Sequence, residues 1–437
     1  MRKIVCFFVI LGIFFGVNAC HNNLSDTLRI ALDIEDEGRY DELFALFYET
    51  TGITVSATYG QDISKLISTP YEPDIIKTST VLIDAMYQIF LDLTPLIQQD
   101  SDISLEQYHD VLIDALMVDG KIYALPTSIN TSLLYYNKTL FDQEADALRV
   151  ALDLGPTESV YPRSDWTYDD YVKAGVTLSK YQMIGGNRIY SQFGAETQLN
   201  WWGEWLVYLY QMGGTFYQAD SLNRVTAITS EAAVQATTFF RQKSMGGVSE
   251  KFAPDAIESA SSYSFLSGNV AMIFGGHMGD WYSYDALGLD WDIQVLPTPM
   301  GRADAQGGEI SADAFGISVR SNKVTEAFMF LKMWAGAEGA IKMYENGKIG
   351  ALKNMEALIL ALPENEQKPI NLSAVFQAAE IAITLPREKD FSKVMREMVM
   401  SELYKLMYSG RGAETDVAFV LSRIKTQVDQ YYQNLYG

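Results

Sequence analysis

The chain is poor in the residues that carry most covalent and metal chemistry: it has 2 cysteines and 3 histidines in 437 residues. Cys6 and Cys20 both fall in the first twenty positions, which excludes a disulfide-stapled framework. His21, His109 and His277 lack the paired spacing of a zinc site, so no metal and no cofactor is expected. Neither a P-loop nor a Gly-x-Ser-x-Gly elbow occurs, and no catalytic residue is assigned. Positive charge is also scarce, with 33 Lys and Arg against 55 Asp and Glu. A surface of net charge −22 repels phosphate backbones and argues against nucleic acid as a partner. No apolar run reaches the roughly 20 residues of a membrane-spanning helix. What is present is a 48% hydrophobic, 12% aromatic chain, enough for two cores. Domains of roughly 150–200 residues each fit its length.

The first residues read as a secretory signal. Met1-Arg2-Lys3 is a basic start, and Ile4 to Val17 is an apolar run of about 14 residues. Cys20 directly follows Val17-Asn18-Ala19, an arrangement that resembles the lipobox of bacterial lipoproteins, in which that cysteine receives the lipid. An ordinary signal followed by a chance cysteine would give the same run. Residues 1–19 are thus expected to be the signal and 20–27 a lipidated polar tether. Removing residues 1–19 takes away Arg2 and Lys3 and no acid, leaving 31 basic against 55 acidic residues, net −24.

Beyond the tether the pattern alternates between strand and helix. Leu28-Arg29-Ile30-Ala31-Leu32 alternates like a strand, and Tyr40, Leu43, Phe44 and Phe47 share one helix face that Gly52 would end. Ile53, Val55 and Ala57 alternate again, a helix starts near Asp62, and Pro73-Asp74-Ile75-Ile76 opens a third strand. This βαβαβ order implies a parallel sheet, whose ligands lie at the carboxyl ends of its strands. The loops Asp33–Glu37 and Lys77–Thr80 sit at two such ends. From Leu140 to Ser267 the chain is richer in helix periodicity and aromatics, and strand signals return at Val270–Phe274 and Asp292–Leu296. That interleaving fits two lobes built from alternating segments.

Asp119-Gly120-Lys121-Ile122-Tyr123-Ala124-Leu125-Pro126, followed by Leu134-Tyr135-Tyr136-Asn137-Lys138-Thr139-Leu140-Phe141, resembles the family 1 extracellular solute-binding proteins of ABC importers. Thr51-Gly52-Ile53-Thr54-Val55, Leu91-Asp92-Leu93-Thr94-Pro95-Leu96, Asp165-Trp166-Thr167 and Phe265-Leu266-Ser267-Gly268-Asn269-Val270-Ala271-Met272 follow in that family's order. The resemblance implies an α/β, two-lobed periplasmic-binding-protein-like fold of type II, each lobe a sheet with flanking helices. Hinge crossings are expected near Leu133–Asn137, Ala271–Gly276 and Ile317–Asn322. Lobe 1 would then take 28–134 with 272–318, and lobe 2 would take 135–271 with 319–437. Most of that family bind sugars, close on them without covalent chemistry and deliver them to membrane permease subunits.

By motif position the resemblance carries ligand contact onto Asp33, Glu35 and Asp36, since carboxylates accept sugar hydroxyls in strong hydrogen bonds. The same run would serve as a solvated acidic loop. Thr78 and Ser79, with Thr80, could bond a polyol or simply turn the chain, and Asn130 offers an amide that donates and accepts. Aromatic faces stack on sugar C–H patches, which singles out Trp201 and Trp202. Adjacent helix positions point about 100° apart, so one of the two faces the cleft, unless both are lobe core. After Gly276 the chain has His277-Met278 where relatives commonly carry a tryptophan, and Trp281 would substitute for it; Phe391 replaces another frequent tryptophan.

The expected role is therefore the substrate-binding lipoprotein of an ABC importer, held by lipid on Cys20 at the periplasmic or extracellular face. A small solute, a sugar or oligosaccharide, is the expected ligand. The alternatives are a peptide or polyamine carrier, whose amine would need the acidic loop, and a glycoside hydrolase with two close carboxylates.

Overall fold

The computed structural model describes residues 27–219, 225–247, 249–260, 263–276, 287–299, 305, 307–363, 371–387 and 390–436. Its first three strands are Thr27–Leu32, Thr54–Tyr59 and Ile75–Ser79. The first lies between the other two and pairs parallel with both, as the βαβαβ pattern requires. The helix Asp41–Thr51 between them buries Leu43 and Phe47 and ends at Gly52. Gly52 takes φ 74°, the left-handed region glycine enters without a Cβ penalty, and its N–H donates to the Tyr48 carbonyl at 2.7 Å.

The sheet is mixed. Glu309–Ile317 runs antiparallel to Ile75–Ser79 and to Leu125–Thr131, and short strands at Ile349–Gly350 and Ile383–Thr384 complete seven. Pairing of Ser79 with Asp313 and of Thr78 with Ala314 carries the third strand through residues expected to form a loop. Cross-strand hydrogen bonds there outweigh the turn preference of a Thr-Ser-Thr run.

A second sheet of three antiparallel strands, Met272–Gly276, Leu133–Asn137 and Trp291–Gln294, separates two hydrophobic cores. Because strand side chains alternate, Leu133, Tyr135, Ile273, Trp291 and Ile293 enter the first core, and Leu134, Tyr136, Met272 and Phe274 enter the second. The segments Leu133–Asn137 and Met272–Gly276 therefore lie between the two cores. The helices Tyr168–Leu178, Gly203–Gln211, Glu231–Met245 and Val417–Tyr436 contribute to the second core, together with buried residues from Phe391 to Met407.

The third expected crossing is displaced. The chain does not leave the first lobe at Ile317–Asn322, because Ser318 and Ser321 are tied back to Glu72 and Asp74. The following helix, Val324–Ala335, then buries Phe330 and Trp334 against Phe47, Tyr40 and Phe315. Buried residues as far as Ala379 belong to the first core, and those from Leu385 onward to the second. The aromatic face of that helix finds its partners in the first lobe, against the assignment of everything after 318 to the second.

Candidate ligand-binding site

A cavity of about 470 Å³ opens between the two cores. Phe265 and Ile273 on its wall belong to the first core, while Trp201 packs on the second. One continuous stretch, Glu196 to Trp201, forms much of the wall and leads into the helix Gly203–Gln211.

Trp201 reaches the cavity because its neighbour has no side chain. A Cβ on Gly203 would sit 2.1 Å from the Trp201 indole nitrogen, so the indole folds back over the helix start. It lies on Trp202, with ring centroids 4.2 Å apart and planes inclined by 31°. Trp202 is itself buried and meets Phe391 edge-on at 6.4 Å. The pair thus divides into a cavity residue and a core residue, and the expectation of ligand contact at Trp202 is corrected accordingly.

The wall also carries neutral polar groups. Gln198, Asn200 and Ser264 line it, and the Ser259 hydroxyl is buried there without a hydrogen-bond partner among the described residues. Beneath it lies an ion pair with both side chains fully buried, Glu204 with Lys243. Burial pulls the Lys243 ammonium below its ordinary range, while the Glu204 carboxylate opposes that shift.

A second charged cluster sits at the ends of the first and third strands. Lys77 contacts Asp33 at 2.6 Å and Asp36 at 2.8 Å, and it approaches Asp313 to 3.8 Å. Lys348 contacts Asp313 at 2.8 Å and Asp36 at 3.6 Å. Tyr40 and Ser128 add hydroxyl donors to Asp36 and Asp313. Burial raises the Asp313 carboxyl, but Lys348 and Lys77 outweigh it and hold the group below its ordinary range. Burial likewise lowers Lys77 and Lys348, but Asp313 and Asp36 outweigh it and hold both above theirs.

Residues 42–369 match the family described as bacterial extracellular solute-binding protein. The chain belongs to that family. Among solved structures of the same fold, an ABC substrate-binding protein of Listeria monocytogenes in complex with cycloalternan is 21% identical, with a TM-score of 0.74 over 93% of this chain and 98% of that one. The sugar-binding protein MalE of Xanthomonas citri is 15% identical, with a TM-score of 0.74 over 94% and 98% of the two chains. A cyclo/maltodextrin-binding protein complexed with maltotetraose is 17% identical, with a TM-score of 0.67 over 94% and 98%. A comparison with curated proteins returned no match.

In this solute-binding protein the residues singled out by sequence fall into distinct places. Asp33 and Glu35 are exposed, whereas Asp36 is 2% exposed and engaged by lysines and Tyr40, so it is an internal strut in place of the expected hydroxyl acceptor. Thr78 is buried against the Met86 sulfur, and the Thr80 hydroxyl accepts from the Ala312 N–H. Ser79 and Asn130 remain partly exposed. None of these is among the described residues lining the Trp201 cavity. Gly276 ends the strand whose Gly275 lines it. Trp281, Met278 and Cys20 lie outside the described residues. Among the described residues no group of three or more His, Cys, Asp and Glu is placed to hold a metal ion, and no helix is long and apolar enough to cross a membrane.

Lys77, Lys348, Asp313, Glu204 and Lys243 were not singled out by sequence. The signal is a charge inside an apolar element: Lys77 in Ile75–Ser79 and Glu204 in Gly-Glu-Trp-Leu-Val-Tyr-Leu-Tyr. A helix apolar on all sides is buried, so a charge within it needs a partner.

Proposed function

We propose that the protein is the substrate-binding component of an ABC importer and captures a neutral carbohydrate in the cavity beside Trp201. The observation that carries this reading is an indole presented to a cavity whose polar lining is amides and hydroxyls apart from Glu196, a carboxylate already engaged by the Phe265 N–H. An aromatic face suits the C–H patches of a sugar, and neutral donors and acceptors suit its hydroxyls. The aspartates deepest in the acidic cluster are matched by two lysines, which weighs against a cationic ligand there. Same-fold structures bind cycloalternan and maltotetraose, in agreement with an oligosaccharide.

Capture proceeds by closure of the lobes about the three-stranded sheet and requires no covalent step, so the protein is a carrier and not an enzyme. Asp33, Glu35, Ser79, Asn130 and Trp281 are further ligand contacts in the closed form. Lipid on Cys20 holds the carrier at the outer face of a membrane, beside the permease subunits it supplies. A ligand at a hundred times its dissociation constant stabilises the native state by about 2.7 kcal/mol. Thermal-shift screening should therefore find neutral oligosaccharides, while a response confined to polyamines or peptides contradicts the reading.

A further inference from the structure

We infer that the buried Glu204–Lys243 pair is a positioning device that holds the Glu196–Trp201 wall in its binding geometry before ligand arrives. The inference rests on the reading of this cavity as the solute site. Glu204 belongs to the helix Gly203–Gln211 and Lys243 to the helix Glu231–Met245. Each uses part of its hydrogen-bonding capacity on the other and part on the wall. One Glu204 oxygen accepts from Lys243 and from the Tyr208 hydroxyl, the latter at 2.8 Å. The other accepts the Gln198 N–H at 3.0 Å. Lys243 donates to the Glu196 carbonyl at 2.6 Å.

The wall is thereby pinned two residues apart from two different helices. Between the pins, the Thr197 hydroxyl bonds Ser244 at 2.6 Å and donates to the Pro254 carbonyl at 2.9 Å. The pinned residues then reach across the cavity: Glu196 accepts the Phe265 N–H at 2.9 Å, and Gln198 donates to the Phe274 carbonyl at 2.8 Å. Stability alone does not call for such a pair, because replacing a buried ion pair by well-packed apolar residues is often neutral or better. What an apolar pair cannot supply is an acceptor for Gln198 and a donor for Glu196. Fixing both in the unliganded protein removes the ordering that binding would otherwise require.

The test has two arms. In the unliganded wild-type protein, the Gln198 amide should exchange with solvent as slowly as amides inside the helix Gly203–Gln211. Fast exchange there overturns the inference without any variant. In the second arm, Glu204→Met with Lys243→Met removes both charges together. This variant should still fold cooperatively, exchange the Gln198 amide at least tenfold faster, and bind maltotetraose at least tenfold more weakly. Glu204→Gln with Lys243→Met returns an acceptor to Gln198 and should recover the slow exchange. If the double methionine variant fails to fold, the wild-type exchange and this glutamine variant decide. Wild-type exchange and affinity in a folded double methionine variant would show that the pair serves only the core. Should wild-type protein not bind maltotetraose, the sugar reading is what fails, and the exchange rates still decide the positioning role.

Discussion

Trp201 lies on Trp202 at a centroid separation of 4.2 Å, and of the two only Trp201 lines the cavity between the cores. On the proposed reading the outer ring is the binding surface and the inner ring its support. Trp201→Ala should leave the fold intact and weaken sugar binding by roughly thirtyfold, the loss of about 2 kcal/mol that goes with an aromatic anchor. Trp202→Ala should instead destabilise the protein by about 3–5 kcal/mol as a large core truncation. Calorimetric binding and urea unfolding on both variants check the division, and equal effects of the two would refute it.

Gly203→Ala separates helix propensity from site geometry. Alanine inside a helix ordinarily gains about 0.5–1 kcal/mol over glycine. Here the added methyl would meet the Trp201 indole, so the expected result is displaced tryptophan fluorescence and weaker binding with little change in unfolding midpoint. Wild-type affinity in this variant would show that the indole position is not set by Gly203.

Much of this arrangement can be anticipated from the sequence, and the exceptions share a cause. The alternation in Leu28–Leu32 and the spacing of Leu43 and Phe47 specify strand and helix because each depends only on neighbours along the chain. The chain order of the motifs from Thr51 to Met272 points to the family. The resemblance, and not any local pattern, is what singles out Leu133–Asn137, the strand whose alternate side chains enter the two cores. The sequence does not reveal which of two adjacent tryptophans turns outward, since Gly203 and the fit against Phe391 decide it. Nor does it show that Asp36 faces Lys77 and Lys348, which lie 41 and 312 positions away along the chain. Contacts of that range decide whether an acidic loop greets a ligand or braces a sheet.

The Asp36, Asp313, Lys77 and Lys348 cluster predicts acid sensitivity. Asp313 keeps its charge to lower pH in the native state than in the unfolded chain, because Lys348 and Lys77 outweigh the effect of burial. The stability it contributes is thus fully present above the ordinary carboxylate value of about 4 and is lost as pH falls through the lowered native one. Asp313→Asn should destabilise by about 3–5 kcal/mol at neutral pH by leaving lysine charge poorly compensated, and should flatten the acid limb of the stability profile. Urea midpoints from neutral pH down to about pH 3 test this; an unchanged acid limb would contradict the role given to Asp313.

Lipidation is tested at Cys20. Cys20→Ser should move the protein from the detergent phase to the aqueous phase on phase separation, since each buried methylene of the anchor contributes about 0.8 kcal/mol of membrane affinity. Partition identical to wild type would show that the lipid is not on this residue.

The central claim, a neutral sugar held beside an indole and not an amine held by carboxylates, is tested most directly by calorimetric titration of wild-type protein at low and high salt. Maltotetraose and a polyamine would be titrated side by side. Charge–charge attraction at a surface is screened within about 10 Å at 0.1 M salt, whereas stacking and neutral hydrogen bonds are not. The account predicts oligosaccharide binding whose affinity is the same at both salt concentrations, and no polyamine binding. Binding of the polyamine alone, weakening steeply with salt, would contradict it.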